Sequence, residues 1–311
     1  MRAQTENRLE PGDYADRTVT KPPPWHGLVA WDMLFNSLTT GTFLTAAIGD
    51  LVSPADFAAV ARLAYPVALV LLLIDLGCLV GDLGDPMRFH YMLRVFKLGS
   101  PMSLGTWCLT IYSFPLTVVA AISLLDWPLF AVVRNLASAD LLAWLGPVRT
   151  LAVVLALVPA FGSAVYKGVL ISTSAQPGWK EARWLGAYMT SAAPMLGSAV
   201  LLIIADIMNQ ERAAGTLRTC LMPLILLNLI VLALLVGNLR PALESRWTYE
   251  KNLSIGAAAF GGLVVPLVLM PFATDLITEM ALVAMLLAGS LLVRFVIVLL
   301  PHEAHAQVHA P

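Results

Sequence analysis

The sequence predicts an all-α membrane protein with eight transmembrane helices, arranged as two four-helix bundles. Apolar residues make up 59% of the 311 positions and charged residues only 13%, against about half and about a quarter in ordinary soluble domains. Apolar runs of about 20 residues, the length that crosses ~30 Å of hydrocarbon, recur along the whole chain. These runs leave no room for a sizeable soluble domain.

The predicted spans follow one another with short polar connections. They lie at residues 28–51, 60–82, 102–124, 148–170, 185–207, 218–239, 253–272 and 276–300. A polar segment, Ser172–Arg183, divides the chain near its middle. We therefore expect a first bundle at residues 28–180 and a second bundle at residues 181–300.

Polar segments flank and interrupt the spans. Residues 1–27 hold three consecutive prolines and form a predicted extended tail, without the small-residue cleavage site of a signal peptide. Residues 301–311 form a predicted C-terminal tail. The longest internal loop, Asp126–Gly146, contains amphipathic stretches that we expect along the membrane interface.

The cysteines and histidines do not form the pattern of a haem, iron–sulfur or zinc protein. Cys78, Cys108 and Cys220 are isolated, with no Cys-x-x-Cys pair. None of the five histidines lies within a predicted span, where a b-type haem would need its axial ligands. Three of them lie in the last eleven residues, which are either a metal-binding tract or, as we favour, a disordered tail. No metal site is predicted.

One face of the first predicted helix is polar. Asp32, Asn36, Thr39 and Thr40 are spaced i, i+4, i+7 and i+8, which places them above one another. Asn and Thr commonly form hydrogen bonds between membrane helices, so these three are either structural or contacts to a bound group. An ionisable residue inside a span is a candidate functional residue, which favours a functional role for Asp32.

Other ionisable residues lie within or near the ends of later spans. Taken alone, Tyr166 and Lys167 have the pattern of an interfacial aromatic anchor and a snorkelling cation. Asp75 and Arg294 are predicted at similar depth, where they either pair or line a polar path. Together with Asp206 they support an alternative function, a secondary transporter or ion-translocating protein, although no inverted repeat is evident.

The connection Gly81–Trp107 contains more charged and aromatic residues, glycines and prolines than a turn between two helices requires. It combines charges, glycines, prolines and aromatic residues, which is typical of an ordered, working surface at one face of the membrane. Its titratable residues include Asp82, Asp85, Arg88, His90, Arg94 and Lys97.

Two blocks of residues, in order along the chain, resemble those of a known family. The first is Asp82-Leu83-Gly84-x-Pro86-x-Arg88-Phe89, followed by Ser100-Pro101-Met102-Ser103-x-Gly105-x-Trp107. The second is Tyr166-x-Gly168-x-Leu170, followed by Pro177-x-Trp179 and by Ser191, Ala192 and Gly197 on an apolar helix; the first helix adds Leu38-Thr39-Thr40-Gly41. With eight spans, the sequence resembles the NrfD/PsrC family, the integral-membrane subunits of polysulfide-reductase-type respiratory complexes.

The resemblance implies a subunit that reacts with a quinone, menaquinone or ubiquinone, and is not catalytic alone. It implies electron exchange with a four-cluster ferredoxin-like iron–sulfur subunit and, through it, with a molybdopterin catalytic subunit. It also implies a quinone in the first bundle, near the face that docks the cluster protein. Tyr166 matches a family tyrosine, Asp32 falls where the family can place a histidine, and Val29 replaces a polar asparagine.

From this resemblance we predict two catalytic residues. Asp32 would exchange a proton with one quinone oxygen and Tyr166 would orient the other, since quinone chemistry moves protons as well as electrons. His26, outside the span, would relay protons to water. The remaining predicted contacts are Asn36, Thr39, Thr40, Arg88 and Lys167.

The distribution of basic residues predicts the orientation. Thirteen of the 19 lysines and arginines fall on the side of the N-terminus, five on the opposite side and Arg294 within a span. The positive-inside rule then places both termini and the quinone face in the cytoplasm, in a bacterial inner membrane. Docking of an acidic partner by Arg88, Arg94 and Lys97 would bias this count, and many family members are thought to place this face in the periplasm.

Overall fold

Ten α-helices contain most of the residues that the computed structural model describes, and no strand occurs among them. The described residues are 25, 27–136, 138–176, 178–242, 248–273 and 275–306. His26, Pro177 and most of the two predicted tails lie outside them.

The helices follow the predicted order of spans. The first five are α1 (Gly27–Val52), α2 (Pro54–Gly81), α3 (Pro101–Leu125), the short α4 (Ala131–Leu136) and α5 (Ala139–Ser172). The others are α6 (Leu185–Ile207), α7 (Glu211–Ala242), α8 (Tyr249–Ala259), α9 (Val265–Leu269) and α10 (Leu276–Ala306). A π-helical turn, Phe260–Val264, joins α8 to α9, and 3-10 helices form at Pro86–Leu93, Pro128–Phe130 and Met270–Phe272.

Seven helical segments of the described chain are long and apolar enough to cross a membrane. They are α2, α3, α5, α6, most of α7, the continuous rod from α8 to the end of α9, and most of α10. The prediction of an all-helical, multi-pass membrane protein is therefore confirmed.

Helix α1 has 26 residues but is not among these seven segments. Its inner part is rich in polar side chains, which lower its mean hydropathy. These side chains are buried inside the protein and do not face lipid: Asp32, Asn36, Ser37, Thr39, Thr40, Thr42 and Asp50. A central position thus explains the composition of α1.

Helix α5 begins nine residues earlier than the predicted span, at Ala139. Ser138 caps it, since its Oγ accepts a hydrogen bond from the Leu141 amide at 3.3 Å. The predicted interfacial loop is therefore divided. Residues 139–146 extend α5, and only α4 and one 3-10 helix fill the rest of the connection.

Contacts between helices place α1 at the centre. It packs against α2, α5, α6 and α10, whereas α3 packs mainly on α5, and α6 packs mainly on α7 and α1. At the crossing of α1 and α6, Gly41 and Gly197 face each other, and a Cβ on either would collide with backbone atoms across the crossing. Small residues allow this close approach, which shields the polar side chains of α1 from lipid.

Candidate functional site

The connection between α2 and α3 is ordered by hydrogen bonds at the start of α3. Ser100 caps this helix, its Oγ accepting from the Ser103 amide at 3.4 Å. The Ser103 hydroxyl donates to the carbonyl of Val95 and accepts from the Lys97 amide, both at 3.0 Å. The first motif block therefore fixes the loop that follows the 3-10 helix Pro86–Leu93 against α3.

Glycines of both motif blocks allow close contacts around Tyr166. The Tyr166 ring lies on Gly105 of α3, where a Cβ would overlap the ring. Two residues further along α5, Gly168 faces the backbone of Gly186 at the start of α6. Tyr166 is consequently held between α3 and the rest of α5 with little freedom to move.

Trp179 anchors the connection between α5 and α6. Its side chain is buried, and its indole nitrogen donates to the carbonyl of Ile297 on α10 at 2.9 Å. The ring also stacks on Trp25, with a distance of 5.4 Å between ring centroids. The second block thus ties the end of α5 to α10 and to the start of α1.

A cavity of about 60 Å³ opens where the start of α1, the end of α2, the start of α3 and the end of α5 meet. Its polar lining is Asp32, Asp82, Tyr166 and Lys167, and the rest is apolar, with Trp25, Val29, Met33, Leu79, Leu83, Met92, Met102, Leu170 and Ile171. This space holds about two waters. Three methionines, Met33, Met92 and Met102, lie in its wall, and such side chains adapt their shape readily. The mixture of apolar walls and a few converging polar groups is typical of a small-molecule site.

Lys167 lies between two carboxylates at the inner end of this cavity. Its Nζ is 2.8 Å from Oδ1 of Asp32 and 2.8 Å from Oδ1 of Asp75, and it donates to the carbonyl of Asp32 at 3.2 Å. The three side chains are 4%, 7% and 0% exposed. The interpretation of Lys167 as a snorkelling cation is wrong, because its ammonium group is buried between the carboxyl groups of Asp32 and Asp75.

Asn36 stabilises this triad of buried side chains through a hydrogen bond to Asp75. Its Nδ2 donates to Oδ2 of Asp75 at 3.4 Å and to Oγ of Ser163 at 3.1 Å. Asn36 does not line the cavity, so it orients Asp75 in this structure. Ser163 had not been singled out from the sequence.

Of the two alternatives for Asp75 and Arg294, an ion pair between them is not formed, since Asp75 pairs with Lys167. The positions of Asp75 and Lys167 along the chain indicate that they lie close enough to pair. Asp75 lies six residues before the end of α2 and Lys167 five before the end of α5. Both helices end at the same face, so both residues lie at nearly the same depth.

The two predicted threonines lie deeper on α1 and form structural hydrogen bonds. Thr39 donates to the carbonyl of Ala68 at 2.7 Å and lies 3.1 Å from the Tyr112 hydroxyl, while Thr40 donates to the carbonyl of Asn36 at 2.6 Å. Neither lines the cavity. Their predicted contact with a quinone remains a prediction.

Arg88 lies on the exposed surface of the α2–α3 connection and outside the cavity, 2.9 Å from Asp85. Arg94 lies over the ring of Tyr91, at 3.8 Å from its centroid. His26 lies outside the described residues. We call this connection the rim surface; its exposed large apolar residues are Met87, Phe89, Tyr91, Val95, Phe96 and Leu98.

Arg294 and Asp206 belong to separate clusters. Arg294, on α10, is fully buried and donates to Oγ of Ser37 and to the carbonyl of Ser290, each at 2.8 Å, and also to the Ser290 hydroxyl. Asp206 lies at the C-terminal end of α6, at the face opposite the cavity, and is 3.7 Å from Arg218. Asp75, Asp206 and Arg294 therefore do not form one continuous path.

No curated protein matches the chain, whereas one family model does. The family model described as polysulphide reductase, NrfD, matches residues 17–302, which is most of the sequence. The chain therefore belongs to the NrfD polysulphide reductase family, as the two motif blocks predicted.

Proposed function

We propose that this chain is the quinone-reactive membrane subunit of a respiratory oxidoreductase complex. The observation that supports this best is the cavity between α1, α2, α3 and α5, where Asp32, Tyr166 and Lys167 converge on an apolar space. Asp75 backs the cavity as the second carboxylate on Lys167. Membership of the NrfD family agrees with this function.

The residues of the cavity suit the two ends of a quinone ring. Oxidation of a quinol releases two electrons and two protons, so each oxygen needs a partner that holds or passes a proton. Asp32 accepts one proton, and this uptake brings the triad from one negative charge to zero. Tyr166, held on Gly105, orients the other hydroxyl, and the proton of that hydroxyl leaves to water through the predicted relay at His26. Lys167 keeps Asp32 in position, because Asp75 and the Asp32 carbonyl fix its ammonium group.

We include α1 as the eighth span. Its polar side chains face other helices, so its low hydropathy does not prevent it from crossing the membrane in the interior of the protein. In this proposal α1, α2, α3 and α5 form the first bundle, and α6, α7, α8–α9 and α10 form the second.

The proposed electron partner is a four-cluster ferredoxin-like iron–sulfur subunit, itself bound to a molybdopterin catalytic subunit. It would dock on the rim surface, where Arg88, Arg94 and Lys97 are exposed beside apolar residues. The rim surface adjoins the cavity through Met92, so a docked cluster would lie close to a bound quinone. By the count of basic residues, this face is the cytoplasmic face of a bacterial inner membrane.

The test is quinol oxidation by the intact complex carrying Asp32→Asn or Tyr166→Phe. We expect turnover to fall at least about 10²-fold in Asp32→Asn, since a positioned proton-transfer group contributes about 10²–10⁴-fold, and to fall less in Tyr166→Phe, which loses an orienting hydrogen bond. Asp206→Asn and Tyr188→Phe are matched controls, which remove an acid and a buried tyrosine outside the cavity, and both should keep wild-type turnover.

Wild-type turnover in both cavity variants would refute the proposed site. Ion translocation that is lost in Asp206→Asn but retained in Asp32→Asn would instead support the alternative function as a translocating protein.

A further inference from the structure

A second cavity, of about 280 Å³, lies at the face opposite the first one. Three arginines line it from different elements: Arg62 of α2, Arg134 of α4 and Arg149 of α5. Only five basic residues are predicted on this side of the membrane. Three of these five residues therefore line one cavity, although they lie on three different helices.

The carboxylates around this cavity do not balance its arginines. Asp126 is shared, with its Oδ1 2.8 Å from Arg134 Nη1 and its Oδ2 3.9 Å from Arg62 Nη1. Asp50 lies 2.8 Å from Arg149 and also accepts a hydrogen bond from Tyr65. Two carboxylates against three guanidinium groups leave one positive charge.

Arg149 is the least exposed of the three arginines, and its neighbours hold its guanidinium group in place. Its Nη2 lies 2.8 Å from Oδ2 of Asp50, and the group lies over the ring of Tyr65, 5.3 Å from the ring centroid. The side chain is 19% exposed. Guanidinium groups bind phosphate oxygens through paired, planar donors, so this cavity presents the donors that a phosphate group requires.

The other wall of the cavity is apolar. It consists of Ala58, Ile122, Leu125, Leu142 and Leu145. Outside it, α4 and the start of α5 expose Val132, Val133, Leu136, Leu141 and Trp144. This amphipathic edge next to the ends of spanning helices is typical of the level of lipid headgroups.

We infer that this cavity binds the phosphate group of an anionic phospholipid. The arginines hold the phosphate, and the apolar wall and α4 receive the start of the acyl chains. Basic pockets between membrane helices bind such headgroups on the cytoplasmic side of other membrane proteins, and the same contact between guanidinium and phosphate forms in either leaflet. The inference does not depend on the proposed quinone function, since it uses a separate cavity at the opposite face.

The experiment uses purified, delipidated protein in neutral detergent, with native mass spectrometry as the readout. Phosphatidylglycerol, phosphatidylcholine and inorganic phosphate are added separately. We expect selective binding of phosphatidylglycerol, weakened about fivefold for each arginine removed in Arg62→Gln and Arg134→Gln. Arg212→Gln is the matched control, because Arg212 lies on the same face, is 89% exposed and is paired with Asp56 outside the cavity.

Equal binding of phosphatidylglycerol and phosphatidylcholine would overturn the inference. So would displacement of phosphatidylglycerol by millimolar inorganic phosphate, which would identify a small-anion site, or wild-type affinity in the variant that lacks both arginines. The first two outcomes are decided on the wild-type protein alone, by its selectivity between the two lipids and by the competition with phosphate.

Discussion

Two buried cations, Lys167 and Arg294, lie on different sides of the central helix α1 and have opposite surroundings. Lys167 contacts the side chains of two acidic residues, Asp32 and Asp75. Arg294 contacts serine oxygens and Tyr188, and among the described residues no carboxylate lies within ion-pairing distance. One cluster adjoins a cavity, and Arg294 lines neither of the two cavities discussed above.

Under the proposed function, this difference separates a site for proton exchange from a structural element. A cation with two acids beside a cavity can exchange a proton with a ligand and remain ion-paired. A cation held only by neutral groups has no such partner, and its hydrogen bonds instead join α10 to α1 through Ser37. Under this proposal, a buried cation belongs to the functional site only where acids surround it, and burial alone does not mark function.

Replacing Lys167 should give the largest effect. Lys167→Met leaves Asp32 and Asp75 buried without a counter-ion, and breaking a buried pair in this way costs about 3–5 kcal/mol. The free energy of unfolding in mixed micelles should fall by that amount, together with quinol oxidation. Lys180→Met removes a 57% exposed lysine and should change little. A loss below about 1 kcal/mol for Lys167→Met would show that the triad is not held as described.

Removing the acceptor of Arg294 should give an intermediate effect. Ser37→Ala leaves Nη2 of a buried guanidinium without its acceptor, and hydrogen bonds to charged groups contribute about 1.5–3 kcal/mol. The same unfolding measurement tests this. Ser123→Ala removes a buried serine whose hydroxyl has no hydrogen-bond partner among the described residues, and it should be nearly neutral. Equal losses of unfolding free energy in Ser37→Ala and Ser123→Ala would show that the hydrogen bond from Arg294 to Ser37 does not stabilise the protein.

Replacing Arg294 itself should give the smallest effect. Arg294→Met loses the hydrogen bonds but also removes a buried charge that has no counter-ion, and apolar replacements of similar shape are often close to neutral. We expect stability within about 1 kcal/mol of wild type and unchanged quinol oxidation. A loss as large as that of Lys167→Met would mean that Arg294 balances the negative triad across α1, and the two clusters would then be one electrostatic unit.

Hydropathy, length and motif spacing were sufficient to predict the membrane class, most helix boundaries and the family. Helix α6 lies where predicted, at residues 185–207, because the length of an apolar run is a local property set by the thickness of the bilayer. Tyr166 and Asp32 were likewise found by their positions in the chain, and both line the cavity.

Only the tertiary structure determined which residues meet. The rotation and crossing of helices depend on contacts such as Gly41 with Gly197, which no single helix encodes. For this reason the sequence did not show that Asp75 contacts Lys167, or that α1 is enclosed by other helices. The sequence left Arg62, Arg134 and Arg149 as separate charges of one membrane face, because their convergence requires α2, α4 and α5 to be brought together in space.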